Sequence, residues 1–194
     1  RLTDKKSLIV DTPYSELKNL KLNGTDNKIL LLQEALDYVH GKSALLIEIK
    51  NTTNNAQLCE KAIEIFKKYK GEFALQSFNP YIVKYVAQQA PEMVRGQLVA
   101  FSYGNGNGKM GFKEMMLKRL LAKYITHYFG SAVNPNFINF DSKTTSNGFI
   151  DRCKEENLQL LAWTIRNQDE EKKARKQANN IIFEKYEPNI SRSL

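Results

Sequence analysis

The stretch Ala44-Leu45-Leu46-Ile47-Glu48-Ile49-Lys50 is a short apolar run that ends in two opposite charges. A run of this length, following the helix-stop signal His40-Gly41, reads as a buried β-strand. Side chains alternate along a strand, so Ile47 and Ile49 share one face while Glu48 and Lys50 share the other. The isoleucines suit packing against helices. Glu48 and Lys50 would then project from the opposite face at the strand's carboxyl end.

Working outward, the same pattern recurs. Residues 14–17 open with a short helical turn, and 29–39 have helical periodicity. Helices are expected at 57–69, 81–89, 111–129, 147–156 and 168–177, and further strands at 73–78, 94–101, 137–141, 158–165 and 180–184. Apolar strands alternating with helices predict a parallel sheet buried on both faces. No Rossmann glycine fingerprint opens any of the repeats, which favours a TIM (β/α)8-type barrel over a doubly wound sheet. A full barrel takes roughly 250 residues and eight strands. This chain of 194 residues carries about six, so the fold class expected is α/β, an incomplete barrel. Residues 1–194 are expected to form a single domain lacking its N-terminal part.

Composition bounds the rest. Hydrophobic residues make up 42% and charged residues 26% of the chain. Those shares are ordinary for a globular domain. No apolar run reaches the length of roughly 18 residues needed to cross a bilayer. The first residues shown are polar, so they do not read as a signal peptide. The net charge of +8 suits either an anionic partner or simply a solvated lysine-rich surface. Lysines are spread along the chain and no nucleic-acid motif appears, so no nucleic-acid partner is expected. Cys59 and Cys153 lie far apart in helical patterns, which implies reduced or buried thiols rather than a disulfide framework or zinc site. Cytoplasmic localisation, with a membrane-associated variant, is compatible with that.

In a parallel barrel, active sites lie at the carboxyl ends of the strands. Those ends read Glu48 to Lys50, Gln76-Ser77-Phe78, Asp141, Trp163-Thr164 and Glu184. A carboxylate beside an ammonium inside a barrel is costly unless it has a use. Glu48 suits a hard divalent cation and Lys50 a phosphate oxygen; a simple ion pair at the rim is the other reading. For any one of the remaining polar ends, ordinary loop-edge polarity is an alternative.

These residues resemble a known family. Arg1-Leu2-Thr3, the turn 14–20, Leu32-Gln33-Glu34-Ala35-Leu36, the strand ending Ile47-Glu48-Ile49-Lys50, Gln76-Ser77-Phe78-Asn79 and Ala162-Trp163-Thr164-Ile165-Arg166 follow the order and spacing of the glycerophosphodiester phosphodiesterases. The resemblance covers nearly the whole chain. It implies a TIM barrel that hydrolyses a small-molecule glycerophosphodiester to glycerol 3-phosphate and an alcohol, with a divalent metal (Ca2+ or Mg2+) and two histidines as acid and base. It implies that Glu48 is a metal ligand and that Lys50, Phe78 and Trp163 bind substrate. The family's HRG, ExD and HD motifs precede the Arg-Thr-Thr run and have no counterpart here. His40 and His127 match no catalytic position, so no catalytic residue is assigned within this chain. The family's closing Thr-Asp stands as Phe183-Glu184, a departure that puts any role for Glu184 in doubt. The intact protein is therefore expected to be an enzyme and the 194-residue chain alone nearly inactive. The alternatives are a non-catalytic barrel-like binding or interaction module, or another phospholipase-type phosphodiesterase.

Two features fall outside that frame. Gly104-Asn105-Gly106-Asn107-Gly108-Lys109 lacks the Lys-Ser/Thr ending of a P-loop and is expected to be a loop over the barrel mouth. The 111–129 stretch carries Lys113, Lys118, Arg119 and Lys123 among an apolar set wider than a barrel helix needs. It suits either an outer helix with a broad core face, or contact with an anionic membrane surface or a second subunit in a homo-oligomer.

Overall fold

A computed structural model of the chain describes residues 2–3, 5–100 and 132–189. The expected loop at 104–108, the 111–129 stretch and His127 lie outside the described residues. The elements, in chain order, are α1 (Tyr14–Leu17), α2 (Leu32–Val39), β1 (Leu45–Glu48), α3 (Asn55–Phe66), β2 (Phe73–Ser77), α4 (Pro80–Gln89), β3 (Arg95–Val99), β4 (Phe137–Asp141), α5 (Asn147–Glu155), β5 (Gln159–Ile165), α6 (Gln168–Ala174) and β6 (Asn180–Phe183). A 3-10 turn at Ile9–Asp11 precedes them. Among the described residues, no helix is long and apolar enough to cross a membrane.

Helix ends explain the small shifts from the sequence reading. Helix α2 starts at Leu32 rather than residue 29, because Leu31 is extended and donates its N–H to Glu34 Oε2 at 2.7 Å. That bond satisfies one of the donors a helix start leaves open. The helix ends where His40 and Gly41 both turn left-handed, at φ 49° and 71°. Such a turn is a common way to stop a helix. Helix α3 starts earlier than expected, at Asn55, because Asn54 caps it by accepting the Gln57 N–H. Pro80 opens α4, at a first-turn position where its missing N–H costs nothing.

Two compact units make up the chain: Arg1–Leu45 with Thr52–Phe73, and Leu46–Asn51 with Ala74–Leu194. In the first, α2 contacts α3, and Phe66 stacks on Phe73 with ring centroids 4.6 Å apart. The Tyr69 hydroxyl accepts the Gly41 N–H at 3.1 Å. Cys59 is buried, and burial raises its thiol pKa, with Glu60 adding to the effect.

The second unit holds nearly all of a six-stranded sheet whose order is β1-β2-β3-β4-β5-β6. Strands β2 through β6 pair in parallel with their sequence neighbours. Strand β1 joins β2 through the Leu45 N–H to Glu72 O and Ile49 N–H to Gln76 O bonds, which advance together as parallel strands require. A doubly wound sheet reverses its strand order at a switch point. Among the described residues this one never does, and that is the winding of a (β/α)8 barrel.

Alternation divides the sheet into two faces. Val99, Ile138, Phe140, Leu160, Ala162 and Ile181 pack with Phe149, Ile150 and Cys153 of α5 and Ala174 of α6. Ile49 and Leu75 line one apolar crevice with Ile82, Val83 and Val86 of α4. At about 0.8 kcal/mol per buried CH2, this helix-facing layer is the main apolar contribution to the unit's stability. Cys153 sits within it as a free thiol, its pKa pushed up to about 12 by burial and by Glu156.

Gly96 lies on the opposite face beside Phe137 in the β3–β4 register. A Cβ there would overlap the Phe137 ring, so the glycine makes room for an aromatic that the next strand supplies. Gly96→Ala should lower the unfolding free energy by about 1–3 kcal/mol through overpacking, and adding Phe137→Leu should recover part of it. Denaturant titration of the two variants checks this.

Glu171 is a buried carboxylate in the same unit. Burial alone would raise its pKa. The Arg175 Nε–H at 2.7 Å and the Asn189 N–H at 3.1 Å hold it below the usual carboxylate range. A depressed folded-state pKa contributes stability above the unfolded value of about 4.3, and that stability is lost as pH falls through the folded one. The melting temperature should therefore fall on acidification through that window, and Glu171→Gln should flatten the fall.

Candidate functional site

The site is built on the sheet face turned away from the helices. The Ile49–Gln76 hydrogen bond sets Ile49 beside Ser77, and hence Glu48 beside Gln76. Register then carries the same face through Gly96 to Phe137, Asn139 and Asp141 of β4, and to Leu161 and Trp163 of β5. Parallel sequential strands bring the carboxyl ends of β1, β2, β4 and β5 to one edge. Glu48, Gln76, Phe78, Asn139, Asp141 and Trp163 thus come from four strands or their ends and gather within one unit.

Glu48 and Lys50 meet directly, with Lys50 Nζ 2.7 Å from Glu48 Oε1. The side chains are unequally exposed, 25% for Glu48 against 77% for Lys50. The carboxylate is partly sheltered while the ammonium stands at the rim, where it can swing toward an anion. Such a half-exposed pair contributes about 0–1 kcal/mol to stability.

Each residue of Gln76-Ser77-Phe78-Asn79 has a separate task. Gln76 Oε1 accepts from Asn139 Nδ2 at 2.7 Å, above the sheet. The Ser77 hydroxyl donates to Ile49 O at 2.7 Å, locking the ends of β1 and β2 together, and accepts the Asn79 N–H. Phe78 meets Trp163 edge to face, with ring centroids 6.0 Å apart. That is a favoured arrangement for an aromatic pair. Asn79 caps α4 through the Tyr81 N–H and donates from Nδ2 to Asn51 Oδ1 at 2.5 Å.

Trp163 is fixed from below by its Nε1–H, which donates to Asn139 O at 3.2 Å. The β5–β6 ladder runs from Ala162 opposite Ile181 to Ile165 opposite Phe183, so β5 holds one extra residue there. That bulge lets Ala162 and Ile165 both face the helices and presents Trp163 to the other side.

Glu184 and His40, to which the sequence reading assigned no role, have places of their own. Glu184 pairs with Arg166, Oε1 to Nε at 2.8 Å, beside Glu170, which accepts the Arg166 N–H at 2.8 Å. That backbone bond, together with Lys143, outweighs partial desolvation and lowers the Glu170 pKa. His40 is exposed and ends α2 in the first unit.

The sequence reading missed Gln97 and Asn139. Both are polar residues inside otherwise apolar strands, Arg95-Gly96-Gln97-Leu98-Val99 and Phe137-Ile138-Asn139-Phe140-Asp141, and that interruption was the available signal. Gln97 is 1% exposed, and its Nε2 donates to Ser77 O, Phe78 O and Leu98 O at 3.1, 3.0 and 2.9 Å.

The described residues do not by themselves amount to a cation site. Among them, no three His, Cys, Asp or Glu side chains converge on a point where a metal ion would be held. A hard cation takes six or more oxygens, and Glu48 supplies one carboxylate.

The sequence model of the glycerophosphoryl diester phosphodiesterase family matches residues 1–184. The chain belongs to that family. Its fold matches an Oleispira antarctica phosphodiesterase solved with its product sn-glycerol-3-phosphate, at TM-score 0.70 and 18% identity over 94% of this chain and 71% of that one. It also matches the glycerophosphodiester phosphodiesterase of Thermotoga maritima (TM-score 0.64, 19% identity, 94% and 70%) and one from Parabacteroides distasonis (TM-score 0.64, 17% identity, 88% and 66%). This chain thus spans between 66% and 71% of the length of these three structures. At such identities the likeness establishes the fold. No curated protein matches the sequence.

From the helix-facing side, Gln97 holds the β2 end from which Phe78 projects. Gln97→Leu should remove the side-chain donor from the buried Ser77 carbonyl and the part-buried Phe78 carbonyl, costing about 1–3 kcal/mol. The check is chemical denaturation together with hydrogen exchange at the Phe78 and Asn79 amides, which should lose protection first.

Proposed function

We propose that the intact protein hydrolyses glycerophosphodiesters to sn-glycerol 3-phosphate and an alcohol. The observation that carries this reading is the Glu48–Lys50 pair at the carboxyl end of β1, on the face shared with Gln76, Asn139 and Trp163. The family match and the product bound in the Oleispira relative support the substrate class.

In this reading Lys50 leaves Glu48 to hold a phosphate oxygen, as a point charge on a flexible stem can. Phe78 and Trp163 form an apolar wall beside the bound diester and keep water from its side. Glu48 is one ligand of a divalent cation, with the other ligands coming from groups beyond those described. Bound beside Glu48, such a cation would supply positive charge next to the phosphoryl group. The acid and base also come from other groups, because neither His40 nor His127 matches a catalytic position of the family.

A second reading has one observation in its favour. Glu48 and Lys50 already satisfy each other at 2.7 Å, as a purely structural pair in a non-catalytic module would.

Assay of glycerophosphocholine with added Ca2+ or Mg2+ separates the two. The intact protein should turn over, and Glu48→Gln should reduce its rate roughly 100-fold or more while changing stability by less than about 1 kcal/mol. The 194-residue chain alone should be nearly inactive. Robust turnover by that chain, abolished by Glu48→Gln, would refute the assignment of acid and base to other groups. Full activity of the intact Glu48→Gln variant would remove the catalytic reading of the pair.

A further inference from the structure

We propose that Asn139 is a specificity-determining residue that receives a hydroxyl group of a glycerol phosphate ligand. This rests on the ligand class proposed above and adds a contact for its uncharged end.

Asn139 lies in the middle of β4 and is 0% exposed. Its neighbours Ile138 and Phe140 face the helices, so its side chain stands on the face of Gln76 and Trp163. There Nδ2 donates to Gln76 Oε1 at 2.7 Å, while Oδ1 is buried without a hydrogen-bond partner. A buried acceptor left without a donor loses its bonds to water and gains nothing in return. Gln97 Oε1 is buried and unpaired too, but register places Gln97 beside Ile138 on the helix-facing side, away from the site. Asn139 is held in place by more than its own side chain: the Trp163 indole bonds its carbonyl, and Trp163 in turn meets Phe78. A rigid, unsatisfied amide under an aromatic wall is poorly explained by packing, since leucine would fill the same volume without the penalty.

Charge selects the group it would meet. At neutral pH a phosphodiester oxygen only accepts hydrogen bonds, and it would repel an amide oxygen. A hydroxyl donates, and so completes Asn139. Exchanging both amides end for end would leave an N–H2 in place of Oδ1, and a hydroxyl oxygen accepts from that equally well. Lys50 meets the anion and Asn139 the polyol, so the two ends of glycerol phosphate are recognised by different chemistry.

Binding is read by titration calorimetry, which needs no reporter group. Titrate the intact protein with sn-glycerol 3-phosphate and, separately, with inorganic phosphate. Wild type should prefer glycerol phosphate. Asn139→Leu should lose that preference by about tenfold or more, about 1.4 kcal/mol, with phosphate affinity unchanged. Asn139→Asp, which keeps an acceptor, should retain the preference; if the leucine variant does not fold, Asn139→Ala against Asn139→Asp makes the same comparison. The proposal is overturned if wild type shows no preference, if folded Asn139→Leu keeps it, or if both ligands weaken equally. A preference that depends on Asn139 in a protein that hydrolyses no glycerophosphodiester would support this contact while rejecting the hydrolase reading.

Discussion

Parallel pairing in strict sequence order is the constraint from which the site follows. Because β1 to β6 all run the same way and none is inserted out of order, every carboxyl end arrives at the same edge. Residues separated by whole repeats then become neighbours without any local signal. Ser77 reaches Ile49 O, Asn139 reaches Gln76, and Trp163 reaches both Asn139 and Phe78. Each contact joins two different strands or their ends, so none could form within a single element.

The two faces of the sheet solve different problems. The helix-facing layer is close to purely apolar, and its stability grows with the area removed from water. Its polar exceptions are held by backbone carbonyls. Gln97 gives its N–H2 to three of them. Arg95 donates to the carbonyls of Pro91, Met93 and Asn134, with burial lowering its pKa. The other face is crowded with polar and aromatic groups. It tolerates them because Gly96 yields space to Phe137, the β5 bulge turns Trp163 away from the helices, and Gln76 and Asn139 bond each other.

Much of the fold was legible beforehand, and for a physical reason. Period-2 and period-3.6 patterns are local, so strands such as Phe137–Asp141 and helices such as Asn147–Glu155 declare themselves within a few residues. Boundaries were less legible because they depend on single hydrogen bonds, such as Glu34 to the Leu31 N–H or Asn54 to Gln57. The placement of Glu48 on the face away from the helices followed from alternation alone. The tasks of Ser77, Gln97 and Asn139 did not, because a polar residue in an apolar strand declares that it needs a partner without naming one.

Sequence alone determined the repeat of strand and helix, the face on which Glu48 and Lys50 stand, the buried thiols and the family resemblance. All of these rest on residue type and short-range spacing. Tertiary structure alone decided which strand ends meet, that Gly96 and Phe137 share one space, and that Asn139 is left with an open hydrogen-bonding group. Those are properties of pairs brought together across the sheet, and strand register, which no single segment encodes, selects them.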